Sequence, residues 1–380
     1  MDALILSCGT GGGHNAAGLA VYEELKRRGH HAEMFDPYSL VGSRISRNIA
    51  NVYIRMVQKA PHMFGFLYRA GNIYRKLPFR SPVYFFNKKP AEKLEQYLYE
   101  NHTDIVVMPH LFPAEIMTYL KNKGVSLPKT VFIATDYTCI PFTEETECDY
   151  YIVPHEDLIP EFLGRGISLE KLKPFGIPVN RAFDKSCEKD RLKRKLGLMP
   201  DKHYLLIVGG SVGAGHLPRT VEALLWCIGR RKDYSVVVIC GSNKKLFRKI
   251  KRRYRKNDRV VVLKSTDRMA DYMKACEIIF SKPGGLSSTE AVTAGVPLVH
   301  IAPIPGCETK NRSYFAKRKI SAARWNGDWH GIRKIKKLIL QDEVNFNREH
   351  IHTNARNAIC DWLEHSIAQS QSAQGDVSER

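Results

Sequence analysis

The chain has 380 residues, 43% hydrophobic and 26% charged, with a formal net charge of +20. That length is too great for one compact core and predicts two domains of ordinary size. No apolar run approaches the ~18 residues that a spanning helix needs. An apolar strand follows Met1 almost at once, so a secretory leader is not expected. Nine cysteines, scattered and without a Cys-x-x-Cys pair, are expected as reduced thiols with neither a disulfide framework nor a zinc site.

In chain order, apolar runs and turn signals predict strand 3–7, a Gly loop, a helix over about 15–28, strand 31–35, a basic aromatic segment, strand 104–108, a helix over about 113–122, and strands 130–134 and 150–153. Pro174 to Pro178 marks a crossing. After the charged stretch Lys185 to Lys195 the pattern restarts: strand 204–208, Gly loop, helix about 216–231, strands 235–239 and 259–263, helix about 267–275, strand 277–280, helix 287–294, strand 297–300. This alternation predicts an α/β protein of two Rossmann-like, doubly wound domains facing a central cleft, one over 1–180 and one over 181–345. A last helix over about 346–365 is expected to pack back on the N-terminal domain. Residues 366–380, polar and without apolar periodicity, are expected to be disordered.

From Pro37 to Ala91 there is no Asp or Glu, while Lys or Arg stands at 44, 47, 55, 59, 69, 75, 76, 80, 88 and 89 among ten aromatic residues. Arg69, Arg75, Lys76 and Arg80 with Phe64, Phe66, Phe85 and Phe86 have the mix of ring and cation that anchors a helix on an anionic membrane surface. A helical insertion with its rings turned inward fits the same pattern. A second run, Lys244 to Lys256, holds nine cations in thirteen residues. It reads first as a solvated helix face and second as an auxiliary membrane or nucleic-acid contact. No nucleic-acid-binding motif accompanies it, so nucleic acid is not an expected partner.

The most informative stretch is Ser281-Lys-Pro-Gly-Gly-Leu-Ser-Ser-Thr-Glu-Ala. A strand runs into the twin glycine Gly284-Gly285, and Ser287, Ser288 and Thr289 are expected to open a helix whose first-turn amides have no partner within it. Such amides, with the positive end of the helix dipole, favour a phosphate. Glu290, one turn on, suits two ribose hydroxyls, so a nucleotide fits; a plain βα turn with Ser caps is the alternative. Gly209-Gly210-Ser211-Val212-Gly213 offers further amides for a diphosphate, and Lys282 can either charge-stabilise a leaving diphosphate or face solvent.

In the other half, Gly9-Thr10-Gly11-Gly12-Gly13-His14 joins the first strand to the first helix. A dinucleotide fingerprint needs glycine where His14 stands, although Asp36 lies where its ribose-binding acid would. With an ordinary pKa near 6.5, His14 can take a proton from a hydroxyl, or it can simply cap the helix. Asp136 is a competing base, a partner that orients the base, or a turn residue. His155-Glu156-Asp157 adds acid/base candidates or a polar helix start. No Asp-x-Asp occurs, and no metal is expected.

Gly11-Gly-Gly-His14-Asn-Ala-Ala, Thr135-Asp136-Tyr137, Phe175-Gly-Ile-Pro-Val179, Gly209-Gly-Ser-Val-Gly-Ala-Gly215, and Lys282-Pro-Gly-Gly-Leu286 through Glu290-Ala to Pro305-Gly306-Cys307-Glu308-Thr-Lys-Asn311 occur in that order. Together they resemble the monogalactosyldiacylglycerol synthase and processive diacylglycerol glucosyltransferase family, which is glycosyltransferase family 28-like and of GT-B fold. The resemblance spans about residues 3–320. It implies an inverting, metal-independent enzyme that moves a hexose from a UDP-sugar to a membrane lipid hydroxyl, foremost diacylglycerol, as a peripheral protein on the cytoplasmic face of the membrane.

By the same resemblance the C-terminal domain binds the donor through Gly210, Ser211, Gly213, Ser265, Met269, Lys282, Gly284, Gly285, Leu286, Ser287, Ser288, Glu290, Gly306, Cys307, Glu308 and Asn311. Gly12, Gly13 and Tyr137 face the acceptor, and His14 and Asp136 are the catalytic candidates. The chain departs from the family at Cys307, where Gln is usual, and after Asp136, where many members carry His and Trp. The hexose and acceptor therefore stay open, as do a UDP-N-acetylglucosamine transferase for another lipid-linked acceptor and a non-catalytic sensor of nucleotide-sugar or lipid. The oligomeric state is not legible.

Overall fold

A computed structural model describes residues 1–77, 79–341 and 344–378. The chain divides into two units, one of Met1–Tyr53, Tyr68–Asn180 and His352–Arg380, the other of Ile54–Leu67 and Arg181–Ile351.

The first unit is built on β1 (Asp2–Leu6), β2 (His31–Phe35), β3 (Ile105–Met108), β4 (Lys129–Ile133), β5 (Tyr150–Ile152) and β6 (Leu172–Lys173), in the order β2-β1-β3-β4-β5-β6. Every pairing is parallel. Parallel sheets carry crossover helices on both faces, which is why Ile105–Met108 is apolar at each residue and buried throughout. Helix Gly12–Arg27 lies close on β1 because Gly18 has no side chain: a Cβ there would stand 3.1 Å from both Ile5 and Pro109.

Ile5, Val21, Leu25, Val107, Val131 and Ile152 form one core with Ile359, Cys360, Leu363 and Ile367 of helix Ala355–Ser378. Each such side chain contributes about 1.5–3 kcal/mol by leaving water. Arg28 adds polar ties, Nη1 donating to Asp361 Oδ1 at 2.6 Å and to Glu364 Oε2 at 3.0 Å. The disorder expected from 366 is replaced by helix through Ser378, and Ser366 and Ile367 are buried. Composition alone misses this because, among the described residues from 366 onward, Ile367 is the one in this core and the rest of the segment is mostly polar.

The second unit has β7 (His203–Val208), β8 (Tyr234–Ile239), β9 (Val260–Leu263), β10 (Ile278–Ser281), β11 (Leu298–His300) and β12 (Ala323–Arg324), in the order β12-β11-β10-β7-β8-β9. It too is parallel throughout. β6 and β12, two residues each, were not expected from the sequence, being too short to show any period. This is the GT-B class, a pair of doubly wound α/β units.

In each sheet the strand order reverses once, between β1 and β3 in the first and between β7 and β10 in the second. Loops leaving adjacent strands at such a point run to opposite faces and open a crevice at the strands' carboxyl ends. The residues that follow those four strands include Gly9–His14, Pro109–His110, Gly209–Gly215 and Lys282–Gly285.

Candidate active site

In the second unit, the loop after β7 is held by its own backbone. Gly213 N–H donates to Gly210 O at 3.1 Å, Ala214 N–H to Gly209 O at 2.9 Å, and Ser242 N–H to Ser211 O at 2.8 Å. Gly213, at φ 61°, approaches so near β8's exit that a Cβ would lie 2.0 Å from Cys240 O. Only glycine fits there.

After β10 the helix begins at Gly285, two residues before the expected start, and runs Gly285–Thr293. Gly284 is its N-cap with no side-chain hydrogen bond, so the first-turn amides are those of Gly285, Leu286 and Ser287. The two-residue shift turns Ser288 and Thr289 inward. Ser288 Oγ meets His300 Nε2 at 3.0 Å and Thr289 Oγ1 donates to Gly285 O at 2.9 Å; both residues are fully buried. Ser288 thus braces the helix instead of facing the crevice. Glu290 lies four residues after Leu286 and three after Ser287, on their side of the helix, and is half-buried. Desolvation pushes its carboxyl up to about 8.

Lys282 Nζ pairs with Glu308 Oε1, and Glu308 Oε2 accepts the Ile304 N–H at 2.8 Å. Gly210, at φ 67°, makes room for this pair: a Cβ there would lie 2.9 Å from Lys282 Cε; Gly284 lies beside it, its Cβ position 4.0 Å from Glu308 Oε1. Helix Cys307–Lys317 starts from Gly306, at φ 129°, which brings Cys307 and Glu308 to the same end; Asn311 is fully buried one turn on. Ser265 is exposed and Met269 half-buried beyond β9. The structure therefore brings together Gly210, Lys282, Gly284, Gly285 and Glu308.

In the first unit, Gly11 is the N-cap of helix Gly12–Arg27, so Gly12 and Gly13 are its first two residues and His14 the third. His14 Nδ1 meets Pro109 O at 2.8 Å and Thr135 Oγ1 at 2.7 Å. A carbonyl only accepts, so Nδ1 carries the proton and Nε2 the lone pair. Burial lowers the imidazole below its ordinary 6.5, partly offset by the charge of Asp136. His14 is therefore neutral at pH 7, with Nε2 able to accept a proton. A cavity of about 10 Å3, the size of one water, lies among His14, Pro109, Thr135 and Asp136. Tyr137, expected at the acceptor, is 2% exposed and belongs to the core.

His110 was not anticipated. Its Nδ1 accepts the Phe112 N–H at 3.1 Å, capping helix Leu111–Asn122, while Nε2 meets Thr10 Oγ1 at 2.6 Å. Its ring lies edge-on to His14 at 4.6 Å. The available signal was a histidine directly after a buried strand, at the switch point. His155 instead spends Nδ1 on the Asp157 N–H at 3.2 Å and stacks on His352 at 4.8 Å; it is a turn cap.

The basic aromatic segment forms helices Ser43–Lys59, Pro61–Tyr74 and Pro82–Phe86. Phe66, Phe79, Phe85 and Phe86 are 64–67% exposed, and Arg69 and Lys76 are exposed. Phe64 is half-buried. Arg75 departs from expectation: its Nε and Nη2 donate to Glu144, and its side chain is 2% exposed. Arg80 pairs with Glu147 and donates to Glu145 O at 2.6 Å. These acids lie some 65 residues downstream in sequence, so a window without acids misrepresents the local charge. Ile54–Leu67 belongs to the second unit, where Gln58 Nε2 donates to Val212 O at 2.6 Å.

Residues 14–179 match the Monogalactosyldiacylglycerol (MGDG) synthase family and residues 204–322 the Glycosyltransferase family 28 C-terminal domain. The chain is 28% identical over 323 residues to the Processive diacylglycerol beta-glucosyltransferase of Bacillus licheniformis, covering 83% of this chain and 81% of that one. Among solved structures it resembles MurG of Acinetobacter baumannii (TM-score 0.58, 14% identity, 96% and 99% of the two chains). It also resembles UDP-GlcNAc 2-epimerase from Neisseria meningitidis bound to UDP-GlcNAc (TM-score 0.62, 13% identity, 96% and 100%); at such identities both likenesses speak to the fold.

Fold and matched domains together define a UDP-sugar-dependent hexosyltransferase. Within that class, residues 14–179 belong to the monogalactosyldiacylglycerol synthase family and residues 204–322 form a glycosyltransferase family 28 C-terminal domain.

Proposed function

We propose that the protein transfers a hexose from a UDP-sugar to the free hydroxyl of diacylglycerol, with inversion and without a metal. The observation that carries this reading is the convergence of the uncapped helix start at Gly285, the Lys282–Glu308 pair and Glu290 beyond one switch point. The amides of Gly285, Leu286 and Ser287 suit the diphosphate, and the carboxyl of Glu290 suits the ribose hydroxyls. On donor binding, Lys282 turns to the diphosphate and releases Glu308 to hydrogen-bond the sugar.

In the reaction, His14 Nε2 takes the proton of the acceptor hydroxyl as its oxygen forms a bond to the anomeric carbon. The bond from that carbon to the β-phosphate oxygen breaks, and UDP leaves with the electron pair. Lys282 and the helix amides stabilise the growing negative charge. Inversion follows from a single displacement with the nucleophile opposite the leaving group. The likeness to a diacylglycerol beta-glucosyltransferase supports the acceptor. No helix among the described residues is long and apolar enough to cross a membrane; the exposed rings at 66, 79, 85 and 86 support attachment at the surface, on the cytoplasmic face where UDP-sugars are made.

The test is incubation with labelled UDP-glucose, UDP-galactose and UDP-N-acetylglucosamine in vesicles containing diacylglycerol, with and without EDTA. Labelled glycosyldiacylglycerol at undiminished rate in EDTA is expected, whereas label on no lipid with any donor sinks the reading. Glu290→Ala is expected to weaken UDP-sugar binding at least tenfold with the fold retained, as calorimetry and circular dichroism report. Unchanged affinity would move the nucleotide elsewhere.

A further inference from the structure

A cavity of about 710 Å3 lies in the second unit, bounded by the C-terminal half of helix Cys307–Lys317, by β12 and by helix Trp329–Ile339. Its charged lining is predominantly basic: Arg312, Lys319, Arg324, His330, Lys334 and Lys337. The acid described in its wall, Asp328, is consumed as a helix cap, Oδ1 accepting the Gly331 N–H. Among the described residues none of the six basic side chains has an ion-pair partner; Arg312 donates to Asn326 Oδ1 at 2.9 Å and still has fork donors to spare. Asp342 and Glu343, next in sequence to Gln341 of the wall, lie outside the described residues.

Two further features mark this basin as more than a solvated rim. Ser321, part of its lining, has a buried Oγ with no hydrogen-bond partner among the described residues. Lys319 follows the helix C-cap Arg318 at φ 55°, the left-handed position where glycine is strongly favoured. A long cationic side chain is held there against the backbone's preference. Five fixed like charges around one concavity repel one another, and concave low-dielectric walls focus their field on whatever anion enters.

We propose that this basin binds a phosphate-bearing anion, a phosphomonoester or diphosphate, at a site distinct from the UDP-sugar site. Guanidinium forks from Arg312 and Arg324 match pairs of phosphate oxygens, Lys334 and Lys337 complete the charge, and the Ser321 hydroxyl supplies a neutral donor. None of these residues belongs to the donor set; Arg312 follows Asn311 in sequence but faces a different side of the helix. The shared chemistry fits a soluble phosphate compound and an acidic lipid headgroup alike.

Titration calorimetry with inorganic pyrophosphate tests it, on wild type and on the surface variants Lys334→Ala/Lys337→Ala and Arg324→Ala, each with and without saturating UDP. With UDP saturating the donor site, one pyrophosphate is expected per chain, with affinity falling about tenfold or more in either variant and UDP affinity unchanged in both. No pyrophosphate bound at saturating UDP, or equal affinity in the variants, overturns the proposal. UDP affinity of the wild type, measured alone, reports on the donor site, so the two readings fail separately. Sedimentation with phosphatidate vesicles against phosphatidylcholine vesicles names the source. Competition with pyrophosphate, lost in the variants, identifies a lipid headgroup; adhesion that the variants leave unchanged identifies a soluble anion.

Discussion

His14 shows how two contacts assign a role to one side chain. Pro109 O fixes the proton on Nδ1, and burial holds the ring neutral. A base must be unprotonated to work, so lowering its pKa extends activity toward acid. His14→Gln is expected to cut kcat by about 10²–10⁴ while leaving UDP affinity intact. In the wild type the acid limb of the kcat profile should fall below pH 6.5. A limb at or above 6.5, or a variant turning over at the wild-type rate, would assign the base elsewhere, with Asp136 next in line. The same lowered pKa sets a stability cost: below 6.5 the unfolded chain gains a proton that the folded His14 resists, so this residue's contribution weakens as pH falls.

At the scale of single elements, the loops after β7 and within helix Leu111–Asn122 make opposite demands. Gly213 permits a contact that any Cβ would occupy, so Gly213→Ala should cost more than about 2 kcal/mol in chemical denaturation and weaken UDP binding with it. Glu115, in the helix, is fully buried, its two oxygens have no hydrogen-bond partner among the described residues, and burial pushes its carboxyl up to about 8. The unfolded carboxyl ionises near 4.5. Stability from this group is therefore whole below 4.5 and declines as pH rises toward 8, because only the unfolded chain releases the proton in that window. Glu115→Gln should melt like the wild type at pH 4.5 and progressively above it toward pH 8, by up to a few kcal/mol. A gap that does not widen with pH would show that the carboxyl is ionised in the fold.

For the whole molecule, the net charge of +20 is less informative than its placement. Arg75 and Arg80 are committed to Glu144 and Glu147, which leaves Arg69, Lys76 and the exposed rings as the groups that the proposed membrane attachment can use. Each free cation near an anionic surface contributes about 1 kcal/mol, screened by salt. Phe66→Asp with Phe79→Asp is expected to abolish flotation on anionic vesicles and leave turnover of a detergent-dispersed acceptor within about twofold. Flotation that persists would place the anchor outside this segment. The basic run at Lys244 forms helix Lys244–Arg253 with its cations exposed, consistent with a solvated face.

Doubly wound architecture and the glycine-opened helix start after Lys282 were both legible in the sequence, because each is written at short range. A buried parallel strand is a continuous apolar run, a βα turn needs its glycines in place, and Lys282 to Asn311 sets a lysine, a glycine-opened helix start and two acids within thirty residues. Tertiary structure decided whatever depends on partners distant in the chain. It turned Ser288 inward to His300, drew Tyr137 into the core, buried Arg75 against Glu144, set His110 beside His14, and brought residues 312 to 337 around one cavity. Hydrogen bonds and ion pairs reach only a few ångströms in space while spanning any length of sequence, so local spacing predicts which groups a loop offers, and only the folded chain determines which of them remain unspent.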